Sequence, residues 1–425
     1  MQLNYTKAAS QGVVIETIEK NSNIFFGVEY EKAKKAIQDI ISQQKQSESL
    51  AGDNQMAQVN NRIIFTGQRG SGKTSAILSL KQDLKKNGIN TKYNKIDFYC
   101  LPSIDPSYFE GGNNILTTVL SSMFSNAKST MEKYEKNGEQ RRNEYENLLR
   151  SFSKVYKALG QIEPSRDNIS YTIEKLNDIS NASDIYSLMG RLLKNFKAFL
   201  KVDKTKFLLV IDDLDMNVSC AADMMEQLRK FLSLNDMIIL MSANIDQLHY
   251  EMCEHYSKAF VNTMNDKDQA RFIEIEDMAS RYLLKLFPTS RRINVEHPVS
   301  QLLNADLAFP ELDENGKYIK EGEDKVKTKK EGKLQSIILS LIWEKTRLLF
   351  VPEKNELHHI IPTNLRELVQ FIDVLESMDD VKYDEKEGKL FSSSEDYMNC
   401  EKNISKFKEY FIKTLKDRQY SDKGE

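Results

Sequence analysis

Residues 61–77 read NRIIFTGQRGSGKTSAI, and the fold turns on them. The apolar run IIFT predicts a buried strand, and the residues from Gly72 onward predict a helix over 72–84. Gly67-Gln68-Arg69-Gly70-Ser71-Gly72-Lys73-Thr74 is therefore a strand-to-helix loop of the form G-x-x-x-x-G-K-[ST]. Its glycines let the backbone turn so that N–H groups surround a phosphate at a helix N-terminus, where the dipole favours an anion. Lys73 is then expected to reach the β- and γ-phosphates of a nucleoside triphosphate, and the Thr74 hydroxyl to bind Mg²⁺. Ser75 completes the set of expected nucleotide-binding positions.

Outward from this loop, strands and helices are expected to alternate. EYEKAKKAIQDIIS (29–42) predicts a helix, and a polar loop then runs to Asn61. Downstream come a strand at YNKIDFYCL (93–101), a helix at ILTTVLSSMFSNAKSTM (115–131), a strand at KFLLVIDDLD (206–215) and a strand at DMIILMSAN (236–244). A helix over 272–286 and a short strand RRINV (291–295) close the series. This is the βαβ rhythm of a parallel sheet, and the two near-continuous apolar runs suit central strands covered on both faces. Residues 132–204 form a charged, largely helical insertion, read as an interaction arm rather than core. Beyond 296 the chain is expected to be a helical lid to residue 416, broken by a charged surface loop DENGKYIKEGEDKVKTKKEG (313–332), with a disordered tail over 417–425. The expected division is thus a helical segment and linker over 1–60, a core over 61–296 and a lid over 297–416.

Composition narrows the partners. With 40% apolar and 29% charged residues, the 425-residue chain has the make-up of a soluble protein of two or three domains. A net charge of −3 supplies no global field toward nucleic acid or an anionic membrane. The four cysteines lack C-x-x-C spacing and the five histidines lack metal-ligand spacing, which suits a reducing cytoplasm and no structural metal. No apolar run approaches the roughly 18 residues of a spanning helix, so no membrane partner is expected.

Further chemistry sits at strand ends. In FLLVIDDLD (207–215) four apolar residues lead to an acid: Asp212 is expected to hold Mg²⁺ through water and Asp213 to polarise the attacking water. An aspartate there is one methylene shorter than glutamate, which favours slow hydrolysis; the alternative is that Asp213 and Asp215 cap the following turn. MIILMSANIDQL (237–248) offers Ser242 and Asn244 as polar contacts to the γ-phosphate and water. Arg291 and Arg292 follow a helix, where an arginine can serve a neighbouring subunit's nucleotide or remain a solvated charge. IIPTNLRELVQFIDVL (360–375) predicts a helix capped by Thr363 or Asn364, with Arg366 in a first turn that disfavours cations unless an anion is near.

Together these stretches resemble the AAA+ and STAND branches of P-loop NTPases, with KAP-type bacterial ATPases the nearest likeness. The likeness is carried by the loop, VIDDLD (210–215), IDQL (245–248), YLLKLF (282–287) and PTNLRELVQFI (362–372), and spans about 29–374. It implies an α/β P-loop fold of the ASCE type, a parallel sheet flanked by helices with a helical lid, and ATP and Mg²⁺ as ligands. It also implies a sensor 1 role for Asn244 or Ser242, an arginine finger at Arg291 or Arg292, and sensor 2 at Arg366. GVEYEKAKKAI (27–37) is similar to the region that helps enclose adenine in origin-recognition-type initiators, although neither their winged-helix module nor the membrane insert of many KAP proteins is seen. Related ATPases recur in bacterial antiphage systems, the RADAR ATPase among them, and YNKIDFYCLPSIDPSYFEGGNNIL (93–116) resembles a feature of that group. The resemblance implies an ATP-driven switch that forms a homo-oligomeric ring or arc and recruits a separate effector protein. Two other classes stand beside it. One is a DNA-associated loader contacting phosphates through KVKTKK and EQRRNEYENLLR; the other is a remodeller using Tyr108 and Phe109 as a pore loop, residues that also suit a hydrophobic staple.

Overall fold

The computed structural model describes the chain except residues 1, 5–25, 51–58, 92–93, 110–114, 134–138, 160–184, 203–204, 218–219, 261–268, 296–301, 312–318, 320–326, 353–355, 385–387 and 422–425. In chain order the elements are β1 (Gln2–Asn4), α1 (Gly27–Leu50), β2 (Arg62–Thr66), α2 (Lys73–Asn87), β3 (Ile89–Asn90), β4 (Lys95–Cys100), α3 (Ile115–Lys133), α4 (Glu139–Leu159) and α5 (Ile185–Leu200). Then follow β5 (Thr205–Ile211), α6 (Ala221–Phe231), β6 (Met237–Ala243), α7 (Ile245–Phe260), α8 (Gln269–Leu286), β7 (Arg292–Asn294), β8 (Asp306–Pro310), β9 (Thr328–Lys333), α9 (Leu334–Thr346), α10 (Leu365–Glu376) and α11 (Ser394–Ser421). Two compact units result: one gathers Met1–Gly27, Gln68–Ser79 and Glu296–Glu425, the other Val28–Gly67 and Leu80–Val295.

The second unit is an α/β layer structure on a six-stranded sheet of order β3-β4-β5-β6-β2-β7. All neighbours run parallel except β3, which pairs antiparallel with β4 at the edge. The alternation expected from the sequence is present, and the apolar runs behave as central strands must. In β6 every residue is buried, and in β5 the last five are. Phe207, Leu209, Ile211, Met237, Ile239 and Met241 pack in one cluster with residues of α3 to α8. Leu208, Val210, Ile238, Leu240, Ile63 and Phe65 are also fully buried, so the opposite face is covered too. That cover comes from α1, with Ile37, Ile40 and Ile41 buried, and from the C-terminal half of α2, with Leu80 and Leu84 buried; the Lys34–Asp83 ion pair at 3.0 Å ties the two helices together.

The insertion over 132–204 departs from the expected arm. Within α5, Leu192, Phe196 and Phe199 are completely buried in the main core, each contributing about 1.5–3 kcal/mol of apolar burial. Phe196 lies 5.6 Å from the Phe207 ring and 6.2 Å from the Tyr99 ring, so α5 closes one face of the sheet. The charged α4 concealed this role, because its polar outer face dominates the composition while Leu148, Phe152 and Val155 face inward.

The first unit is less purely helical than expected. β1 pairs parallel with β8, and β9 lies antiparallel to β8, giving a three-stranded sheet whose last strand falls in the stretch expected to be a surface loop. TKKEGK hides its strand character because none of its side chains is an apolar anchor. α9 packs on β9 and on α11, and Phe371 of α10 stacks on Tyr410 of α11 at 5.4 Å. α11 runs to Ser421, so the expected tail begins inside a helix: Lys, Arg and Gln propagate helix as well as they solvate a tail. Residues 422–425 lie outside the described part.

Candidate functional site

The sheet carries a topological break at β2. From β2 the chain crosses the positions of β6 and β5 to reach β4, and α2 on that crossover covers the face shared with α1. The helices that follow β4, β5 and β6 belong to the other face. Connections leaving the C-terminal ends therefore diverge at β2, the position at which open α/β sheets collect ligands. Gly67 leaves the sheet there.

Two strand ends of the same unit supply the polar groups. β5 and β6 are in register with Ile211 opposite Met241, so Asp212 comes level with Ser242. Ser242, fully buried, donates its hydroxyl proton to Asp212 Oδ1 and accepts the Asp213 backbone N–H at 2.7 Å. Asp213 sits in the left-handed region at φ 47°, ψ 52°, a conformation that costs a non-glycine residue on the order of 1 kcal/mol. It heads a short 3-10 turn, Leu214–Met216, without giving that turn a side-chain cap, so its carboxylate is not spent in the way the structural alternative would require. Asp215 is buried in that turn, and its carbonyl accepts Gln247 Nε2 at 2.6 Å.

Asn244 caps α7. Its Oδ1 accepts the backbone N–H of Asp246 at 2.9 Å, which commits the oxygen to the helix and makes Nδ2 the end able to serve a ligand. Two turns further on, Glu251 is 6% exposed, and burial pushes its carboxyl up to about 7, with the Gln247 amide opposing the shift and Asp215 and Glu254 adding to it. No sequence signal pointed to Glu251; its spacing of four from Gln247 was legible, but its burial was not.

The arginine pair divides. Arg291 is 6% exposed, with Nη1 donating to the Asn60 carbonyl at 3.0 Å and Nη2 to Gln43 Oε1 at 3.1 Å, so its guanidinium ties the last strand to α1 and the entry to β2. Burial holds its pKa below the ordinary arginine value, with Asp39 opposing. Arg292 is half-buried and donates Nε to the Phe287 carbonyl at 2.7 Å. Neither arginine projects from the helix end as a fully solvated charge. Beyond β4, Asp105 caps the turn Pro106–Tyr108; Phe109 packs on the core, while Tyr108 is 79% exposed.

The glycine-rich loop belongs to the other unit, together with α10. Gly72 has φ +96° and its carbonyl accepts the Ala76 N–H at 2.9 Å, the first bond of α2; an added Cβ would come within 2.8 Å of Leu365 and of the Phe26 ring. Gly70 has φ +87°, and a Cβ there would lie 2.5 Å from Asn364 Oδ1. Both positions thus exclude a side chain twice over, by conformation and by space. Inside the loop, the Ser71 N–H and Lys73 Nζ both donate to the Gln68 carbonyl at 3.2 Å, two donors converging on one oxygen. Lys73 stands in the first turn of α2, where the dipole disfavours a cation unless an anion joins it.

Asn364, one of the two expected caps, is the N-cap of α10, accepting the N–H groups of Arg366 at 3.0 Å and Glu367 at 3.4 Å. Its Nδ2 also donates to the Arg69 carbonyl at 2.9 Å, and the Arg366 N–H to the Gly70 carbonyl at 3.1 Å. The side chains of Arg366 and Arg69 are exposed beside this seam. Sequence reasoning offered Asn364 only as a cap; a contact 295 residues away leaves no local signal. Comparison with protein-family models finds no match, and comparison with curated proteins finds none either.

Proposed function

We propose that the protein is an ATP-binding and ATP-hydrolysing molecular switch of the P-loop class, organised as in the AAA+ and STAND branches. One observation carries this reading: the chain enters a G-x-x-x-x-G-K-T loop at the strand where the sheet's connections diverge, and the acid-tipped strand β5 lies beyond one intervening strand, β6. In this reading loop N–H groups and the N-terminus of α2 receive the phosphates, Lys73 neutralises β- and γ-oxygens, and the Asn244 amide and Arg366 address the γ-phosphate.

Thr74 and Asp212 provide a hydroxyl and a carboxylate, hard oxygen donors of the type Mg²⁺ takes, and the Ser242 hydroxyl bond orients the Asp212 carboxylate. Mg²⁺, when bound, supplies charge neutralisation at the phosphates. Asp213 is the base that would polarise the attacking water, held off the turn by its own left-handed backbone.

The switch is proposed to act through assembly with further copies of the chain and a separate effector protein, as in bacterial antiphage defence. Of the two arginines, Arg292 is the better candidate to serve a neighbour, since Arg291 is engaged by both Asn60 and Gln43. Mass photometry with and without ATP and Mg²⁺, paired with phosphate release across protein concentration, tests this. A discrete larger species and hydrolysis that rises faster than linearly with concentration are expected; unchanged mass and strictly linear hydrolysis would contradict assembly.

A further inference from the structure

The geometry points to Asn364 as a positioning residue that sets the glycine-rich loop in its phosphate-receiving form, an inference that rests on the nucleotide-binding reading above. In a trans peptide the C=O and N–H point to opposite sides. Tying the Arg69 and Gly70 carbonyls to Asn364 Nδ2 and to the Arg366 N–H therefore turns the N–H groups of Gly70 and Ser71 away from α10 and into the loop. The Ser71 N–H there converges with Lys73 Nζ on a single acceptor, the Gln68 carbonyl, which shows the loop's donors already aimed at a common point.

Asn364 alone can do this among the cap residues. Its oxygen must accept from Arg366 and Glu367 to start α10, and its nitrogen must donate to Arg69. Aspartate satisfies the first demand but has no donor for the second, and serine would have to meet both from one hydroxyl that stands a bond nearer the backbone than the amide nitrogen. Gly70 completes the fit, because any Cβ would collide with the Asn364 amide. Loop and helix are thereby coupled: a movement of α10 rotates two loop peptides, and a ligand that holds those peptides holds α10.

The test compares Asn364→Ser, which keeps an uncharged cap, with Asn364→Ala, which removes cap and tether together. Two readouts are used on the full chain. Without nucleotide, trypsin cleavage after Arg69 is followed, since the scissile carbonyl is the one Asn364 holds. With ATP and Mg²⁺, the dissociation constant is measured by titration calorimetry. Asn364→Ser is expected to be cleaved faster after Arg69 and to bind ATP about tenfold more weakly, as loss of one orienting hydrogen bond implies, with its melting temperature unchanged. Asn364→Ala is expected to lose affinity and melting temperature alike. An Asn364→Ser protein cleaved and binding as wild type would overturn the inference. A wild type that fails to bind ATP, with Arg69 still exposed to faster cleavage in Asn364→Ser, would remove the nucleotide reading and leave the tether standing.

Discussion

Ser242 and Asp212 form one hydrogen-bonded unit at the C-terminal ends of β6 and β5: the Ser242 hydroxyl donates to the Asp212 carboxylate while accepting the N–H of Asp213. One side chain thus orients the carboxylate expected to serve the metal and pins the backbone of the carboxylate expected to serve water. Ser242→Ala removes a bond to a charged group, worth about 1.5–3 kcal/mol, and lets Asp213 leave its strained conformation. Phosphate release is expected to fall by roughly tenfold or more, with ATP affinity nearly unchanged. Equal losses in both would show that Ser242 acts in binding rather than in orientation.

Arg291 is expected to behave as a structural residue. Replacing it with alanine removes the bonds to the half-buried Asn60 carbonyl and the exposed Gln43 amide, about 0.5–1.5 kcal/mol each, and the melting temperature should drop by a few degrees whether or not ATP is present. Arg292→Ala should change melting less and concentration-dependent hydrolysis more. Thermal melts at a concentration where the chain is monomeric separate the two; an unchanged melt for Arg291→Ala would mean its bonds are dispensable.

Glu251 makes stability depend on pH. Its carboxyl titrates near 7 in the folded chain against an ordinary 4.5, so the folded state binds the proton more tightly than the unfolded one. The stabilisation is fully present below 4.5 and is lost as pH rises through 7. Glu251→Gln should therefore leave the melt unchanged at pH 4.5 and raise it at pH 8, flattening the dependence between. Chemical denaturation at three pH values checks the sign, and a Glu251→Gln protein that is less stable at pH 8 would reverse it.

Gly70→Ala asks a conformational question. At φ +87° with the Asn364 amide 2.5 Å from the added carbon, the loop cannot accept the methyl without moving the start of α10. ATP binding is expected to be lost while far-UV circular dichroism stays native, because the sheet does not depend on this turn. Wild-type binding by Gly70→Ala would show the loop to be more permissive than its geometry.

Much of this arrangement was legible in the amino-acid order, for identifiable reasons. The apolar runs 207–211 and 237–241 announce strands covered on both faces, and the loop motif announces the strand-to-helix turn, because each is a local pattern. What stayed hidden is non-local. The burial of α5 depends on Tyr99 and Phe207 arriving from other strands, β9 is a strand through its partner β8 rather than through its own lysines, and the second task of Asn364 lies 295 residues from its first. Arg291 illustrates the same limit: an arginine at a helix end reads identically whether it serves a neighbour or its own α1.

The central claim is met most directly by titration calorimetry of ATP with Mg²⁺ into the wild type and Lys73→Ala. Saturable binding near one nucleotide per chain is expected in the wild type and is expected to be lost in Lys73→Ala, with the melting temperature of the variant preserved. No binding by the wild type at millimolar ATP, or equal binding by both, would contradict it.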